Sequence, residues 1–227
     1  MQVHVIDLSS WTASFRYPNL ISGVQPTLEV PPVSTVLGLL NAAAGQYLHH
    51  QKLEIGYYFQ FDAKAVDLET IYQIDSTNGR ATNNAKSNII RREFLFNTRL
   101  RIYLTDQKLA DYFRQPYYSL VLGRMNDLAT VEQITTLDLP EVAYASRLAG
   151  QVIPFRENYL AGQIQALPKY FTDTFPRQNV GTEPYSVISH LTFVKANLPA
   201  IHDKDLGKAG TDIYLHQLDF SEHDQAV

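Results

Sequence analysis

Residues 31–45 constrain the fold more than any other stretch, because they predict one helix with defined ends. Two prolines open the stretch, and proline suits the first turn of a helix, where its missing N–H has no partner to lose. Ser34 and Thr35 follow, and their hydroxyls are predicted to cap the free amides of that turn. Apolar residues then recur at helical spacing and predict one buried face: Val33, Val36, Leu37, Leu40, Ala43, Ala44 and Tyr47.

Gly38 lies in the middle of this predicted helix, where a glycine costs about 1 kcal/mol relative to alanine. One interpretation is that the helix packs closely on a sheet. The other is that an extended ligand, such as a nucleic-acid backbone, passes close to the helix. The free amides and hydroxyls at the start of the helix agree with the second interpretation, because they are suited to phosphate.

The charge distribution indicates a local site for a polyanion. The chain has 227 residues and a net charge of −4, which alone argues against nucleic acid. Residues 76–125, however, contain nine basic and three acidic side chains, a net charge of +6. A basic segment in an acidic protein is typical of a local nucleic-acid site, and a solvated charged face is the alternative.

Several classes of protein are excluded by what the sequence lacks. There is no cysteine, so disulfides and thiolate chemistry are excluded, and a reducing cytoplasm is expected. No stretch approaches the roughly 20 apolar residues of a membrane span, and the first residues do not resemble a signal peptide. Nucleotide-binding, hydrolase and zinc-protease motifs are absent as well. We therefore predict no catalytic residue, no metal site and no cofactor.

Strand-like runs around the helix predict an α+β fold. The predicted strands are 3–8, 53–61, 66–74, 89–104 and 119–122, with a short helix over 107–114. The run 89–104 alternates: Leu100, Ile102 and Leu104 share one face with Phe94 and Phe96, and the basic side chains lie on the other. The order of elements is that of the ferredoxin-like (RRM-like) β-α-β-β-α-β fold.

The predicted organisation has two parts. Residues 1–125 form the ferredoxin-like core, from which a polar, Asn-rich β-hairpin of about residues 75–92 projects as a thumb. Residues 126–227 form a β-rich C-terminal extension packed on the core. Within the extension, 187–196 and 213–220 are predicted strands and 161–186 a loop.

Residues 9–26 form a predicted loop with both basic and aromatic side chains. Arg16 and Tyr17 lie side by side there, and single-stranded nucleic acid is bound by such charge and stacking. The alternative, which concerns Trp11 and Phe15, is a loop folded onto the core by its aromatic rings.

Three stretches together resemble the CRISPR-associated protein 5 family, a RAMP-superfamily subunit of type I Cascade complexes in antiviral defence. The first is 31–45, with its prolines, serine, leucine-glycine and alanine-glycine. The second is Arg91-Arg92-Glu93-Phe94-Leu95 and the strand that follows. The third is 115–124, a proline and strand that end in Leu-Gly-Arg. Their order and spacing also match the family, over about the first 125 residues.

The resemblance implies a non-catalytic, cytoplasmic subunit that binds and caps the 5′ handle of the guide crRNA. It implies contact of the thumb with the adjacent backbone subunit, the large subunit as a further partner, and target DNA bound only indirectly. The RNA-binding residues that it implies are Ser34, Thr35 and Asn41 on the helix, Lys86, Arg91 and Arg92 on the thumb or its base, and Arg124 after the fourth strand. Arg16 and Tyr17 are added from their chemistry alone.

The alternative is a metal-independent endoribonuclease that processes precursor crRNA, because one branch of the family also cuts RNA. Such cleavage needs a base for the 2′-OH and an acid or cation for the leaving group. Tyr47, His49, His50 and Lys52 cluster at the end of the predicted helix, but the long strand lacks the histidine of that branch. The third interpretation is an unrelated ferredoxin-like RNA-binding protein.

Overall fold

The structure is a computed structural model that describes residues 1–18, 20, 23–48, 52–155 and 160–220. This part of the chain is mostly β-sheet and contains two short α-helices, α1 (Val33–Ala44) and α2 (Gln107–Asp111), and the 3-10 helix Tyr112–Arg114. The first strands are β1 (Gln2–Ala13), β2 (Phe15–Arg16), β3 (Val24–Gln25), β4 (Thr27–Leu28), β5 (Lys52–Gln60), β6 (Ala63–Thr77), β7 (Arg80–Leu104), β8 (Leu120–Val121) and β9 (Leu128–Asp138).

The remaining strands are short. They are β10 (Glu141–Val142), β11 (Ala145–Leu148), β12 (Gln151–Pro154), β13 (Gln163–Leu167), β14 (Tyr170–Phe171), β15 (Asn179–Val180), β16 (Glu183–Ile188), β17 (Val194–Ala196), β18 (Ala200–Asp203), β19 (Thr211–Ile213) and β20 (His216–Asp219). The predicted loop 161–186 therefore contains strands, and the predicted strand 187–196 is interrupted between β16 and β17. None of the described helices is long and apolar enough to span a membrane.

The main sheet has eight strands in the order β20-β5-β7-β1-β9-β8, and β3 and β6 pair in addition with β7. β1 lies antiparallel between β7 and β9, and β5 lies antiparallel to β7. The sheet thus takes strands from both sides of residue 125. Whether residues 1–125 form a unit of their own stays a prediction.

The predicted fourth core strand is wrong in position. Residues 119–122 contribute only the two-residue β8 at the sheet edge, and the long strand beside β1 is β9, of 11 residues. Leu120 and Leu122 are buried in the main core. Leu120 and Leu122 are therefore apolar because this short segment packs in the core, and not because it forms a central strand.

One face of the sheet packs against α1. Val36 and Leu40 of the helix join Leu100, Ile102 and Leu104 of β7 in one hydrophobic core. The alternation predicted for these three β7 residues is confirmed, because their side chains share a buried face. The sheet therefore holds α1 by its apolar side and leaves its polar side outside.

The predicted register of Phe94 and Phe96 is wrong. Asn97 has a positive φ of 51°, which interrupts the alternation of β7 at this point. As a result Leu95 is buried in the core and Phe96 is 41% exposed. The ring of Phe96 lies 5.9 Å from that of Trp11, which is itself 76% exposed, whereas Phe15 is buried. The predicted loop 9–26 is wrong in part, because it contains the end of β1 and the short strands β2 and β3.

β6 and the first half of β7 form a hairpin that is longer than the predicted thumb. The two strands pair from Ala63 with Phe96 to Thr77 with Arg80. Asn78 and Gly79 make the turn, both with positive φ, as in the two-residue turns that Asn-Gly favours. Nearly every residue of β6 is exposed, so the hairpin projects from the sheet.

The second face of the sheet is partly covered by β18 and β19. Ile201 and Ile213 pack there against Tyr103. Asp203 is fully buried and accepts hydrogen bonds from Arg101 Nη1 at 2.9 Å and from the Tyr103 hydroxyl at 2.6 Å. The guanidinium of Arg101 also binds Asp7, so part of the predicted basic face is neutralised within the protein.

Candidate nucleic-acid interface

A groove of about 530 Å³ runs along the exposed side of α1. Of the predicted residues, Ser34 and Asn41 line this groove and Thr35 does not. Its other lining includes Gly38 and Gly45 on the helix, and Tyr47, Tyr118, Phe171, Asp173 and Arg177 around it. The groove is the place where the helix and the C-terminal part of the chain meet around an open space.

Gly38 faces this open space. No described atom outside its own helix turn and neighbours lies within 4 Å of the position that a Cβ would take. Close packing on the sheet, the first interpretation of this glycine, is therefore wrong. Among the described residues, nothing fills the space over Gly38.

The end of α1 fixes the adjoining segment 117–118. Gly45 ends the helix in the left-handed conformation, with φ 72°. The backbone amides of Tyr117 and Tyr118 donate to the carbonyls of Ala43 and Ala42, at 3.0 and 3.1 Å. These bonds hold the Tyr118 ring, which is 58% exposed, at the groove.

Ser34 and Thr35 do not cap the start of α1 with their hydroxyls, as the sequence predicted. The amides of Thr35 and Val36 donate to the carbonyl of Pro32, and no side chain caps the helix. Capping by Ser34 and Thr35 is therefore wrong, because the proline carbonyl already satisfies these amides. Asn41 Oδ1 accepts a hydrogen bond from the Leu48 amide at 3.1 Å, which fixes its side chain on the groove.

Tyr47 is tied to the far side of the groove by its hydroxyl, which donates to the Phe171 carbonyl at 3.0 Å. Burial, and then the charge of Asp173, raise the pKa of the Tyr47 phenol. A raised pKa keeps the phenol protonated and makes it a poor base. His49 and His50, the other residues of the nuclease interpretation, lie outside the described residues. Within the described ranges no group of three or more His, Cys, Asp or Glu side chains could hold a metal ion.

Lys86 and Arg91 are the free cations among the residues predicted for the hairpin. Both are exposed, and in the described part of the chain neither forms an ion pair. Arg91 is held in place through its backbone amide, which donates to the Gly23 carbonyl at 3.0 Å. These two side chains are available to a phosphate.

Arg92 and Arg124 are instead paired with carboxylates. Arg92 is 4% exposed, and its Nε lies 2.7 Å from Glu69. Arg124 lies 2.7 Å from Glu69 and 3.0 Å from the buried Asp127. Burial disfavours the charge on Glu69, but hydrogen bonds from Arg124 and Arg92 outweigh it and lower the pKa of the carboxyl. This ion-pair cluster fastens the base of the hairpin to the turn after β8.

The charge balance of residues 76–125 does not contain the partner of these arginines. Glu69 lies on β6, before this basic segment, and faces Arg92 only because β6 pairs with β7. The acids of β6 alternate with apolar residues, as in Val66-Asp67-Leu68-Glu69. That alternation is the signal that could have indicated an acidic face beside Arg92.

Arg16 and Tyr17 lie apart from the groove. Arg16 is exposed on β2, and the Tyr17 hydroxyl donates to Gln163 Oε1 of β13 at 2.7 Å. The predicted RNA-binding residues thus occupy separate places: the α1 groove, the hairpin, its ion-pair cluster and the β2 edge.

No protein-family model and no curated protein matches this chain. Its fold is similar to that of a chain in a structure described as a CRISPR RNA-guided surveillance complex, with a TM-score of 0.53 and 15% identity over 87% of this chain and 91% of that chain. A chain of the Type III-B Cmr-beta complex bound to cognate target RNA has a TM-score of 0.54 and 12% identity, and covers 86% of each chain. A second structure of that complex, with AMPPnP, gives a TM-score of 0.53. At these identities the likeness defines a shared fold.

Proposed function

We propose that this protein is a non-catalytic, RNA-binding subunit of a CRISPR surveillance complex. More specifically, it is the CRISPR-associated protein 5 of a type I Cascade complex and caps the 5′ handle of the guide crRNA. The observation that carries the proposal is the fold likeness to a chain of such a complex over 87% of this chain and 91% of the other. The three sequence stretches within 31–124 support the finer assignment.

The core that we propose is ferredoxin-like. The long strands follow the order β9-β1-β7-β5, each antiparallel to its neighbour. α1 lies between β1 and β5 along the chain, and α2 lies between β7 and β9. This arrangement supports a β-α-β-β-α-β unit with the β6–β7 hairpin inserted between its second and third strands.

The hairpin serves as the thumb in this proposal. Five apolar side chains on one of its faces are between 59% and 67% exposed: Val66, Leu68, Tyr72, Ile74 and Ile89. An exposed apolar surface of this kind is typical of a protein interface, and the adjacent backbone subunit is its proposed partner. Lys86 and Arg91 contact phosphates of the RNA that the hairpin covers.

Other parts of the proposal rest on the family resemblance alone. They are the large subunit as a further partner, indirect contact with target DNA, and a cytoplasmic location. Arg92 and Arg124 have a supporting role, because their charges are engaged by Glu69 and Asp127. In this proposal Ser34, Thr35 and Asn41 lie beside the 5′ handle of the crRNA. Arg16 and Tyr17 contact the RNA at a place apart from α1.

Copurification tests the proposal. The tagged protein is expressed with the CRISPR array and the genes that flank its own, and the bound RNA is sequenced. The expected result is a set of guide RNAs with one constant 5′ end, together with other subunits of the complex. A double variant, Lys86→Gln with Arg91→Gln, should retain less RNA. Protein that purifies without RNA and without other subunits would contradict the proposal.

A further inference from the structure

Within the described part of the chain, no neighbouring atom and no backbone conformation requires a glycine at position 38. It lies inside α1, where glycine destabilises a helix, and its φ is not in the left-handed region. No described atom would meet a Cβ there. The requirement that remains is close approach by a ligand, because glycine is the residue that lets another molecule reach the backbone.

The lining of the groove has the chemistry of a nucleobase site. Tyr118 and Phe171 are 58% and 40% exposed and present aromatic surface at the groove. Asn41 and Gln46 add amide donors and acceptors. The charged residues of the described lining are Asp173 and Arg177, of opposite sign. A neutral, aromatic and amide-lined groove suits the neutral base of a nucleotide better than its phosphate.

The groove is also the right size and is already formed. Its volume of about 530 Å³ lies within the roughly 300–1,000 Å³ of ordinary ligand pockets. Backbone hydrogen bonds hold residues 117 and 118 on the helix, and the Tyr47 hydroxyl binds the Phe171 carbonyl. Fixed walls lower the ordering cost of binding.

On the basis of the proposed function, we infer that the α1 groove binds one unpaired base of the RNA strand. The base lies over Gly38 and stacks on Tyr118, while Asn41, Asp173 and Arg177 contact its edge. The phosphates on either side of this base remain outside the groove. The site therefore reads base identity, whereas Lys86 and Arg91 do not.

The test measures binding of fluorescent single-stranded RNA homopolymers of about 12 nucleotides, within the usual site size, to the full chain. The variants are Gly38→Leu, which fills the groove, and Tyr118→Ala, which removes the stacking ring. The matched control is Tyr144→Ala, whose ring is 52% exposed and lies outside the groove. Each groove variant should lose about tenfold in affinity for the preferred RNA, as expected for one stacked base, and the control should lose none.

A second measurement separates base binding from general damage. Single abasic sites are placed in turn along the RNA that the wild type prefers. The wild type should lose affinity at one position, and Gly38→Leu should show no position-specific loss. Matching DNA strands distinguish a site that reads the base alone, which binds both, from one that also reads the 2′-OH, which prefers RNA.

The outcomes keep the two proposals apart. If the wild type binds RNA and both groove variants bind it equally well, the groove is not the base site, while the proposed function stands. If abasic sites have the same effect on Gly38→Leu as on the wild type, the inference is likewise overturned. If the wild type binds no RNA in this assay and none copurifies with it, the proposed function fails and the inference fails with it.

Discussion

The side chain of Tyr117 packs directly over Gly45, and a Cβ on Gly45 would lie only 2.7 Å from the Cβ of Tyr117. The glycine also has a φ of +72°, which other residues adopt at a cost. Gly45→Ala should therefore lower the free energy of unfolding by about 1–3 kcal/mol. Urea denaturation measures the change.

Gly38 is the control for Gly45 within the same helix. Gly38→Ala meets no described atom within 4 Å and should raise the free energy of unfolding by up to about 1 kcal/mol. The Gly38→Leu variant should also fold stably. If the helix were crowded at this position, leucine would instead destabilise the protein. Equal destabilisation by alanine at both positions would contradict the difference in their surroundings.

Removing the free cations of the hairpin should change the salt dependence of RNA binding. Lys86→Gln and Arg91→Gln should each reduce the slope of log K against log salt by about 0.7, because each phosphate contact releases counterions. Different RNA sequences should lose similar affinity. Titrations at several salt concentrations give the slope, and a slope unchanged in the double variant would remove these two residues from the RNA site.

Neutralising Arg124 should act on stability and not on the salt slope. Its guanidinium lies 3.0 Å from Asp127, which is fully buried, and 2.7 Å from Glu69. Arg124→Gln leaves a buried carboxylate without its counter-charge, at a cost of roughly 3 kcal/mol. A shallower salt slope with unchanged thermal stability would instead make Arg124 a phosphate contact.

Acid should destabilise the protein through His216. Burial lowers the pKa of His216 from 6.5 to about 4, and its ring stacks on Tyr57 with centroids 5.8 Å apart. As the pH falls, the imidazole of His216 is protonated in the unfolded chain before it is protonated in the folded protein. Its contribution to the free energy of unfolding is therefore complete above pH 6.5 and is lost as the pH falls from 6.5 towards 4. The loss is about 3 kcal/mol.

His216→Phe should flatten the dependence of the urea midpoint on pH between about 6.5 and 4. Some slope should remain, because burial also lowers the pKa of His190. An unchanged slope in the variant would mean that His216 takes up its proton as readily in the folded protein as in the unfolded chain.

The protein should leave a repeat RNA uncut, with or without metal. The raised pKa of the Tyr47 phenol, caused by burial and then by Asp173, keeps this side chain from acting as a base near neutral pH. Gel analysis of 5′-labelled RNA measures the result, and Tyr47→Phe should behave as the wild type does. Specific cleavage that is abolished by Tyr47→Phe or by changing His49 or His50 would favour the nuclease interpretation.

The sequence indicated the parts of the fold that depend on local pattern. The helix and the alternation of Leu100 and Ile102 follow from the spacing of apolar residues. β9 was missed, because it lies near the sheet edge and half of its residues are exposed, which leaves no apolar run to detect. The positive φ of Asn97 shifted the register of Phe96, and the pattern of apolar residues does not predict such a backbone conformation.

The sequence of the helix indicates one wall of the candidate groove but not the segments opposite it, and the binding of RNA there stays a prediction. Ser34 and Asn41 do line a groove, but Phe171 and Arg177 reach it from far along the chain. Whether a helix glycine is covered depends on such distant segments. In the same way, the pairing of Arg92 with Glu69 follows from strand register, which a local count of charges does not contain.

The position of β1 between β7 and β9 has a consequence for biosynthesis. The first strand leaves the ribosome early, but its partners are residues 95–104 on one edge and 129–138 on the other. The nascent chain therefore carries β1 without its partner strands until residues 95–138 have been made. Long-range pairing of this kind folds slowly and exposes aggregation-prone edges. We therefore expect the yield of native protein to depend on translation speed and on the supply of chaperones.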